Sequence, residues 1–108
     1  MLTIQNKVEN RLEIAAPGDF DAEFAVLARS HFEDIADTWN GDVRLDFMQT
    51  HFLDSSGIGA IVFLYKRLSA RNLGLDITNV DGQPLEVLRS LRIDRVIPVN
   101  RNRLKAAS

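Results

Sequence analysis

Residues 52–59 read Phe-Leu-Asp-Ser-Ser-Gly-Ile-Gly. Asp54 and the two serines bring short oxygen-bearing side chains directly before an apolar run with helical spacing, a pattern typical of a helix N-terminus. Gly57 and Gly59 have no side chain, so another backbone can come close at this point. The spacing alone leaves two interpretations open: a helix cap with no further role, or a helix start that another molecule contacts.

The residues after this segment predict an amphipathic helix that ends near residues 72–74. Its inward face is predicted from apolar residues at helical spacing: Ile58, Ile61, Val62, Leu64, Tyr65 and Leu68. The opposite arc contains Gly59, Ala60, Phe63, Lys66 and Arg67. Phe63 is therefore expected to face water, where a large apolar side chain is either incidental or a contact for a binding partner.

The sequence pattern before residues 52–59 predicts three strands and one helix. Alternation of apolar and polar residues predicts strands over residues 2–8, 12–15 and 43–47, with a turn at 8–12. Residues 17–19 break the pattern, and Asp21 is expected to cap a helix that starts at Ala22 and ends near residues 40–41. The inward face of that helix is predicted to contain Phe24, Leu27, Ala28, His31, Ile35 and Trp39, with Phe32 at its margin.

The chain after the segment predicts a strand at 75–78, a turn at 80–84, a third helix and a last strand at 95–99. Pro84 suits the first turn of that helix, where its missing N–H is no loss, and the inward residues are Leu85, Leu88 and Leu91. The order β-β-α-β-α-β-α-β predicts a single α/β domain with a mixed sheet of four to five strands and helices mainly on one face. We expect the domain to span residues 1–108, with a core at about 2–99 and a C-terminal tail at 100–108.

The composition is that of an ordinary globular domain: 108 residues, a net charge of −2, 45% hydrophobic residues and no cysteine. Without cysteine the chain has no disulfide, thiol nucleophile or zinc ribbon. The longest apolar run, residues 58–65, is far shorter than the roughly 20 residues that span a bilayer. The first residues lack the basic and apolar parts of a signal peptide, so we expect a cytoplasmic protein without membrane insertion.

Charge is unevenly distributed along the chain. Residues 1–54 contain eleven acidic and four basic residues, a net charge of −7, whereas residues 55–108 contain nine basic and four acidic residues, a net charge of +5. The two halves either interleave in the fold, which cancels the difference, or form an acidic face and a basic tail. The basic residues near the C-terminus have no aromatic residues among them, so no direct contact with nucleic acid is expected.

The sequence contains few residues in arrangements typical of an active site. His31 and His51 are the only histidines; His31 falls on the apolar face of the first helix, and His51 precedes Asp54 without a nucleophile elbow or an oxyanion loop. Asp19, Asp21, Asp54 and His51 could converge on a metal ion, but carboxylates at such positions are more often caps and turn formers. We therefore expect neither catalysis nor a metal ion or other cofactor.

Residues 52–59, preceded by Leu45-Asp46 and earlier by Gly18-Asp19-Phe20-Asp21, resemble the STAS domain of anti-sigma factor antagonists. The resemblance runs over nearly the whole chain, from residue 2 to residue 99. It implies that the serine directly after the aspartate of the motif is phosphorylated by a partner that is both an anti-sigma factor and a serine kinase. That serine is Ser55, with its neighbour Ser56 as the alternative, and a serine phosphatase would reverse the modification.

We therefore expect the unmodified domain to bind the kinase and phosphorylation to release it. A phosphate at a helix N-terminus is favoured by roughly 0.3–1 kcal/mol, so the modified domain should stay folded and change only its surface. The domain is expected to be a monomer or a weak dimer. The residues expected to contact the partner surround the serines and continue along the second helix: Asp19, Asp21, Asp54, Ser56, Gly57, Gly59, Phe63 and Arg67.

The chain departs from the family pattern just before the motif, where Met48, Gln49 and Thr50 replace smaller or aliphatic residues. This departure indicates a partner surface of its own and leaves the partner's identity open. Three alternatives also remain: a STAS subunit that binds a transporter or another assembly constitutively, a nucleotide sensor, and a partner switch that controls biofilm formation or secretion instead of a sigma factor.

Overall fold

The computed structural model describes residues 3–8 and 10–101. In this part of the chain there are six strands: β1 (Thr3–Val8), β2 (Arg11–Ala15), β3 (Asp19–Phe20), β4 (Asp42–Asp46), β5 (Phe52–Leu53) and β6 (Leu75–Thr78). There are three α-helices, α1 (Ala22–Thr38), α2 (Ser55–Ser69) and α3 (Gly82–Ser90), followed by a short 3-10 helix (Ile93–Arg95). Residue 2 of the strand predicted at 2–8, residue 9 of the turn predicted at 8–12 and residues 102–108 of the predicted C-terminal tail lie outside the described residues, as does residue 1.

The main sheet has four strands in the order β1-β2-β4-β6. β1 pairs with β2 in antiparallel fashion, whereas β2 with β4 and β4 with β6 are parallel pairs. The parallel pairs follow from the helical connections α1 and α2, because a parallel neighbour needs a long crossover. The predicted fold class, a single α/β domain with a mixed sheet and three helices, is confirmed.

The two faces of the sheet differ in chemistry. Val43 and Leu45 of β4 are buried in the core between the sheet and the helices, together with Ile14 and Ile77 of the neighbouring strands. The alternate side chains on the opposite face form a ladder of charges, in which Arg44 donates to Asp76 through two hydrogen bonds of 2.9 Å. The helices thus cover one face and leave the other partly open to water.

The face that the first helix turns to the core is only partly the one predicted. Its buried residues are Ala25, Ala28, Phe32 and Ala36, while Leu27 and His31 are exposed and Phe24, Ile35 and Trp39 are half-buried against the core. The prediction is confirmed for Ala28 and wrong for Leu27 and His31, because it gave priority to large side chains over the alanines. The alanines are what let α1 come close to α2, against which it packs. The predicted cap is confirmed, since the Asp21 carboxylate accepts a hydrogen bond from the N–H of Phe24.

The second helix matches its prediction more closely. Ile58, Ile61, Leu64 and Leu68 are buried as expected, and Val62 and Tyr65 are half-buried. Ala60 was expected on the outer arc but is buried. Its small side chain belongs to the contact with α1, which lies to one side of the predicted stripe.

The C-terminal strand predicted at 95–99 is absent from the described residues. Arg92 adopts a left-handed backbone with φ +61° and starts the 3-10 helix instead. Only Val99 forms a bridge to the sheet, beside Ile77, whose N–H donates to the carbonyl of Pro98 at 2.9 Å. Leu91 was expected inside but is 54% exposed, because α3 ends one residue before it. Pro84 lies in the first turn of α3, as predicted.

Candidate partner-binding site around Ser55

Asp54 organises the start of α2. One oxygen of its carboxylate, Oδ1, accepts hydrogen bonds of 3.0 Å from the N–H groups of both Ser56 and Gly57. Ser55 is the first residue of the helix, and both serines are exposed. Two of the free N–H groups that usually attract an anion to a helix start are therefore already occupied by a carboxylate. A phosphate on Ser55 would meet a negative charge there before it met a free donor.

A second strand-to-helix junction lies directly beside the first. β3 and β5 form a two-residue parallel pair, Asp19 with Phe52 and Phe20 with Leu53, and the N–H of Asp54 donates to the carbonyl of Phe20. β3 leads into α1 as β5 leads into α2, so the N-termini of both helices emerge at the same edge. This pairing brings together Asp19, Asp21 and Asp54, three of the residues predicted to contact a partner.

His51 belongs to this acidic edge. Its Nε2 lies 2.9 Å from the carboxylate of Asp19, and both side chains are exposed. Among the described residues, no hydrogen bond joins a histidine to Ser55 or Ser56. The same part of the chain contains no group of three acidic or histidine side chains that could hold a metal ion.

The two glycines of the motif have different surroundings. A Cβ atom at Gly57 would lie 2.5 Å from the Phe20 carbonyl oxygen and 2.7 Å from a methyl group of Leu53. Gly57 is buried, and its lack of a side chain allows the close contact between α2 and β3. A role for Gly57 in partner binding stays a prediction. Gly59 is exposed, and nothing lies within 4 Å of the Cβ position there. Of the two, only Gly59 leaves a surface that a partner can approach.

Phe63 and Arg67 lie on the seam between α1 and α2. The Phe63 ring is half-buried, with the guanidinium of Arg29 4.5 Å and that of Arg67 5.5 Å from its centroid. Arg67 is also paired with Asp37 and Glu33 of α1. The expectation that Phe63 faces water is thus wrong, since cations of both helices cover it. A role for either residue in partner binding stays a prediction.

The unusual loop before β5 is explained by its contacts. The Thr50 hydroxyl is buried and donates to the carbonyl of Pro17 at 2.7 Å, and the Gln49 amide donates to the carbonyl of Ala16 at 2.6 Å. These side chains tie the loop to the end of β2 and the turn before β3. Met48 and Gln49 are exposed, Met48 by 75%. These two residues are the part of the departure that changes the surface.

Gln83 also positions the candidate site, and the sequence did not predict this role. Its side-chain amide accepts a hydrogen bond of 2.9 Å from the N–H of Leu53 and donates one of 2.8 Å to the carbonyl of the same residue. The amide thereby takes the place of a neighbouring strand along β5. It fixes the segment immediately before Ser55 to the first turn of α3. No sequence pattern predicts that a glutamine in the first turn of a helix binds the backbone of a distant strand.

A family model supports the assignment suggested by the motif: the model of the STAS domain matches residues 3–106. The chain belongs to the STAS domain family. Among curated proteins, none matches the sequence. In the described residues of this STAS domain, no helix is long and apolar enough to cross a membrane.

Solved structures share the fold of this STAS domain at low sequence identity. SpoIIAA, an anti-sigma factor antagonist, was solved in its unphosphorylated form (18% identity, TM-score 0.68, covering 89% of this chain and 97% of that one). The Bacillus SpoIIAA in its phosphorylated form gives 14% identity and a TM-score of 0.73 over the whole of both chains. A putative anti-sigma factor antagonist from Thermotoga maritima gives 19% and 0.79, covering 87% of this chain and 81% of that one.

A different kind of protein shares the fold to a similar degree. A sulfate transporter family protein from Wolinella succinogenes gives 12% identity and a TM-score of 0.74, covering 89% of this chain and 81% of that one. At these identities, the likeness concerns the fold of the STAS domain alone.

Proposed function

We propose that this STAS domain is a partner-switching regulator that acts in the cytoplasm as an anti-sigma factor antagonist. The unmodified domain binds a serine kinase that is also an anti-sigma factor, and phosphorylation of Ser55 ends the binding. The domain itself catalyses nothing; it is the substrate of the kinase and of a serine phosphatase. The observation that carries the proposal is the exposed Ser55 at the capped start of α2, between the Asp54 carboxylate and the open surface at Gly59.

Electrostatics gives the modification its effect. A phosphate brings about −1.5 to −2 charges, and it arrives at an edge that already has the carboxylates of Asp21 and Asp54. On the kinase, the nucleoside diphosphate left after transfer is itself an anion. Like charges brought together at an interface cost several kcal/mol, and about 3 kcal/mol weakens binding roughly 150-fold. The product therefore dissociates.

Support for an anti-sigma factor antagonist comes from the relatives that share the fold. SpoIIAA is described as such an antagonist, and its structures are of an unphosphorylated and a phosphorylated form. The alternative, a constitutive subunit of a transporter, is favoured by the equal likeness to the sulfate transporter family protein. The adjacent serines at the helix start favour the switch, because phosphorylation requires an exposed hydroxyl at this position and constitutive binding does not.

The test uses a purified serine kinase of the anti-sigma type from the same organism. Mass spectrometry locates the phosphate after incubation with ATP, in the wild type and in Ser55→Ala and Ser56→Ala variants. Calorimetry then compares the kinase affinity of the wild type with that of Ser55→Asp. We expect modification that only Ser55→Ala abolishes, and a kinase affinity of Ser55→Asp that is lower by about two orders of magnitude. Equal binding of wild type and Ser55→Asp contradicts the switch and favours the constitutive subunit.

A further inference from the structure

A groove lies beside Ser55, between β5 and α3. We propose that this groove, called the Ser55 groove below, receives an apolar side chain of the partner kinase that is flanked by lysine or arginine. The inference rests on the proposed function for the identity of the partner. It adds a contact surface on α3 that the sequence did not predict.

The Ser55 groove has an apolar lining and enough room for side chains. Leu53 is buried beneath it, and Val87 of α3 is half-buried along its wall. Phe52 and Leu91 line it as well, with 40% and 54% of their surfaces exposed to water. The groove is open to solvent and has a volume of about 460 Å³, which falls within the roughly 300–1,000 Å³ that binding clefts occupy. Exposed apolar side chains around such a space are typical of an interaction surface.

The charged residues that line the groove are all acidic. They are Asp54 at the start of α2 and the exposed Glu86 on α3. A partner side chain that enters beside these carboxylates gains most when basic residues flank it, because complementary charges steer association and disfavour wrong partners. The chemistry therefore points to a basic and apolar segment as the occupant.

The two hydrogen bonds between the Gln83 side chain and the backbone of β5 hold the groove in its shape before a partner binds. Because both the N–H and the carbonyl of Leu53 are bound by that side chain, β5 and the first turn of α3 are held at a fixed distance. A partner then meets a rigid surface and does not have to order it, which lowers the entropic cost of binding. The groove also adjoins Ser55 directly, so an occupant holds the kinase at the residue to be modified.

The test begins with two capped peptides that need no knowledge of the kinase, Ala-Arg-Leu-Phe-Arg-Ala and Ala-Glu-Leu-Phe-Glu-Ala. Each is titrated into the isotope-labelled domain while amide chemical shifts are followed by NMR. We expect saturable shifts around the groove with the arginine peptide, at a Kd on the order of 1 mM. Absence of such shifts, shifts away from the groove, or equal binding of both peptides would overturn the proposal.

Variants assign the binding to the groove. Leu91→Ser removes an apolar wall of the groove, and Glu86→Lys inverts a charge. Each variant should weaken binding of the arginine peptide at least fivefold, and each should also weaken binding of the kinase. Leu27→Ser is the matched control, because Leu27 is exposed to nearly the same extent, 56%, but lies on α1. An equal loss in Leu27→Ser, or a dimer in analytical ultracentrifugation that only Leu91→Ser dissociates, contradicts the kinase as occupant. A kinase that leaves Ser55 unmodified refutes the proposed function, whereas the peptide titration tests the groove independently.

Discussion

Asp21 and Asp54 occupy equivalent positions at two neighbouring strand-to-helix junctions. Each follows one strand of the parallel pair β3 and β5, and each accepts hydrogen bonds from N–H groups of the helix it precedes. Because the strands pair in register, both carboxylates and both helix N-termini lie at one edge of the domain. Capping and local negative charge thus come from the same two residues, and a phosphate on Ser55 has to be accommodated directly beside Asp54.

The first prediction concerns the coupling between Asp54 and a negative charge at Ser55. In the wild type, Ser55→Asp should change the free energy of unfolding by less than about 0.5 kcal/mol, because attraction to the helix N-terminus is offset by repulsion from Asp54. In an Asp54→Asn background the cap remains and the repulsion is lost, so the same change should stabilise by about 0.5–1 kcal/mol. Urea denaturation of the four proteins of the cycle measures this coupling.

A matched control for that cycle is Asp21→Asn, which removes the charge from the equivalent cap of α1. Its coupling to Ser55→Asp should be smaller than that of Asp54→Asn, since Asp21 belongs to the other helix. A coupling of equal size would mean that the acidic edge acts as a whole and that Asp54 has no special relation to Ser55.

The second prediction separates the two glycines of the motif. Gly57→Ala should destabilise the domain by about 2–3 kcal/mol, because the new methyl group overlaps the Phe20 carbonyl and the Leu53 side chain. Gly59→Ala should stabilise it by about 0.5–1 kcal/mol, because the position is open and alanine favours a helix. Thermal and urea denaturation measure both changes.

Gly59→Ala also reports on the partner. If the kinase packs against this position, the stabilised variant should bind it less tightly than the wild type does. A variant that is both more stable and equally competent to bind would remove Gly59 from the interface.

The third prediction concerns Gln83. Gln83→Ala leaves the N–H and the carbonyl of Leu53 without their partner and should cost about 1–3 kcal/mol of stability. Gln83→Glu is the matched control: its ionised carboxylate accepts from the N–H but faces the carbonyl without a proton to donate. Protonation restores the donor, so the deficit of Gln83→Glu relative to the wild type should shrink as the pH falls through the carboxyl range. A deficit that is independent of pH would contradict the two-sided contact.

The sequence predicted the second helix well and the first one poorly, for a physical reason. In α2 the large apolar residues at helical spacing are also the buried ones, Ile58, Ile61, Leu64 and Leu68. In α1 the contact with α2 requires small residues, so alanines are buried and Leu27 is left outside. A pattern of hydrophobicity cannot separate an alanine that fits a close helix contact from one that lies on the surface.

Short elements and single contacts escaped prediction altogether. β3 and β5 are two residues long, and no alternation can be detected over two residues. The apolar residues at 96, 97 and 99 are typical of a strand, but the left-handed Arg92 and the 3-10 helix leave only Val99 to bridge the sheet. The motif was enough to predict Asp54 and Ser55. The groove beside them could not be predicted, because it also requires α3, whose residue Gln83 lies 30 residues after Leu53 in the chain.

The fourth prediction tests whether the open face of the sheet is purely structural. Arg44 is only 13% exposed and lies in a ladder between Asp76, at 2.9 Å, and Glu13, at 3.9 Å. The hydrogen bonds from Arg44 to Asp76 raise the pKa of Arg44 further above neutrality. A raised pKa adds stability that is fully present below the unfolded-state value and is lost only when the pH rises through the folded-state value. The contribution of Arg44 should therefore be the same at pH 6 and at pH 9.

Arg44→Met keeps the volume and removes the charge, and it should destabilise the domain by about 1–3 kcal/mol because the carboxylate of Asp76 loses its partner. Arg11→Met is the matched control on the same face. Arg11 pairs with Glu13 at 3.0 Å, but its Nε is buried without a hydrogen-bond partner, so its removal should cost less than about 0.5 kcal/mol. Neither change should alter kinase binding, because both side chains point away from the helices. A loss of kinase affinity in Arg44→Met, under conditions where the variant is fully folded, would extend the interface to the open face of the sheet.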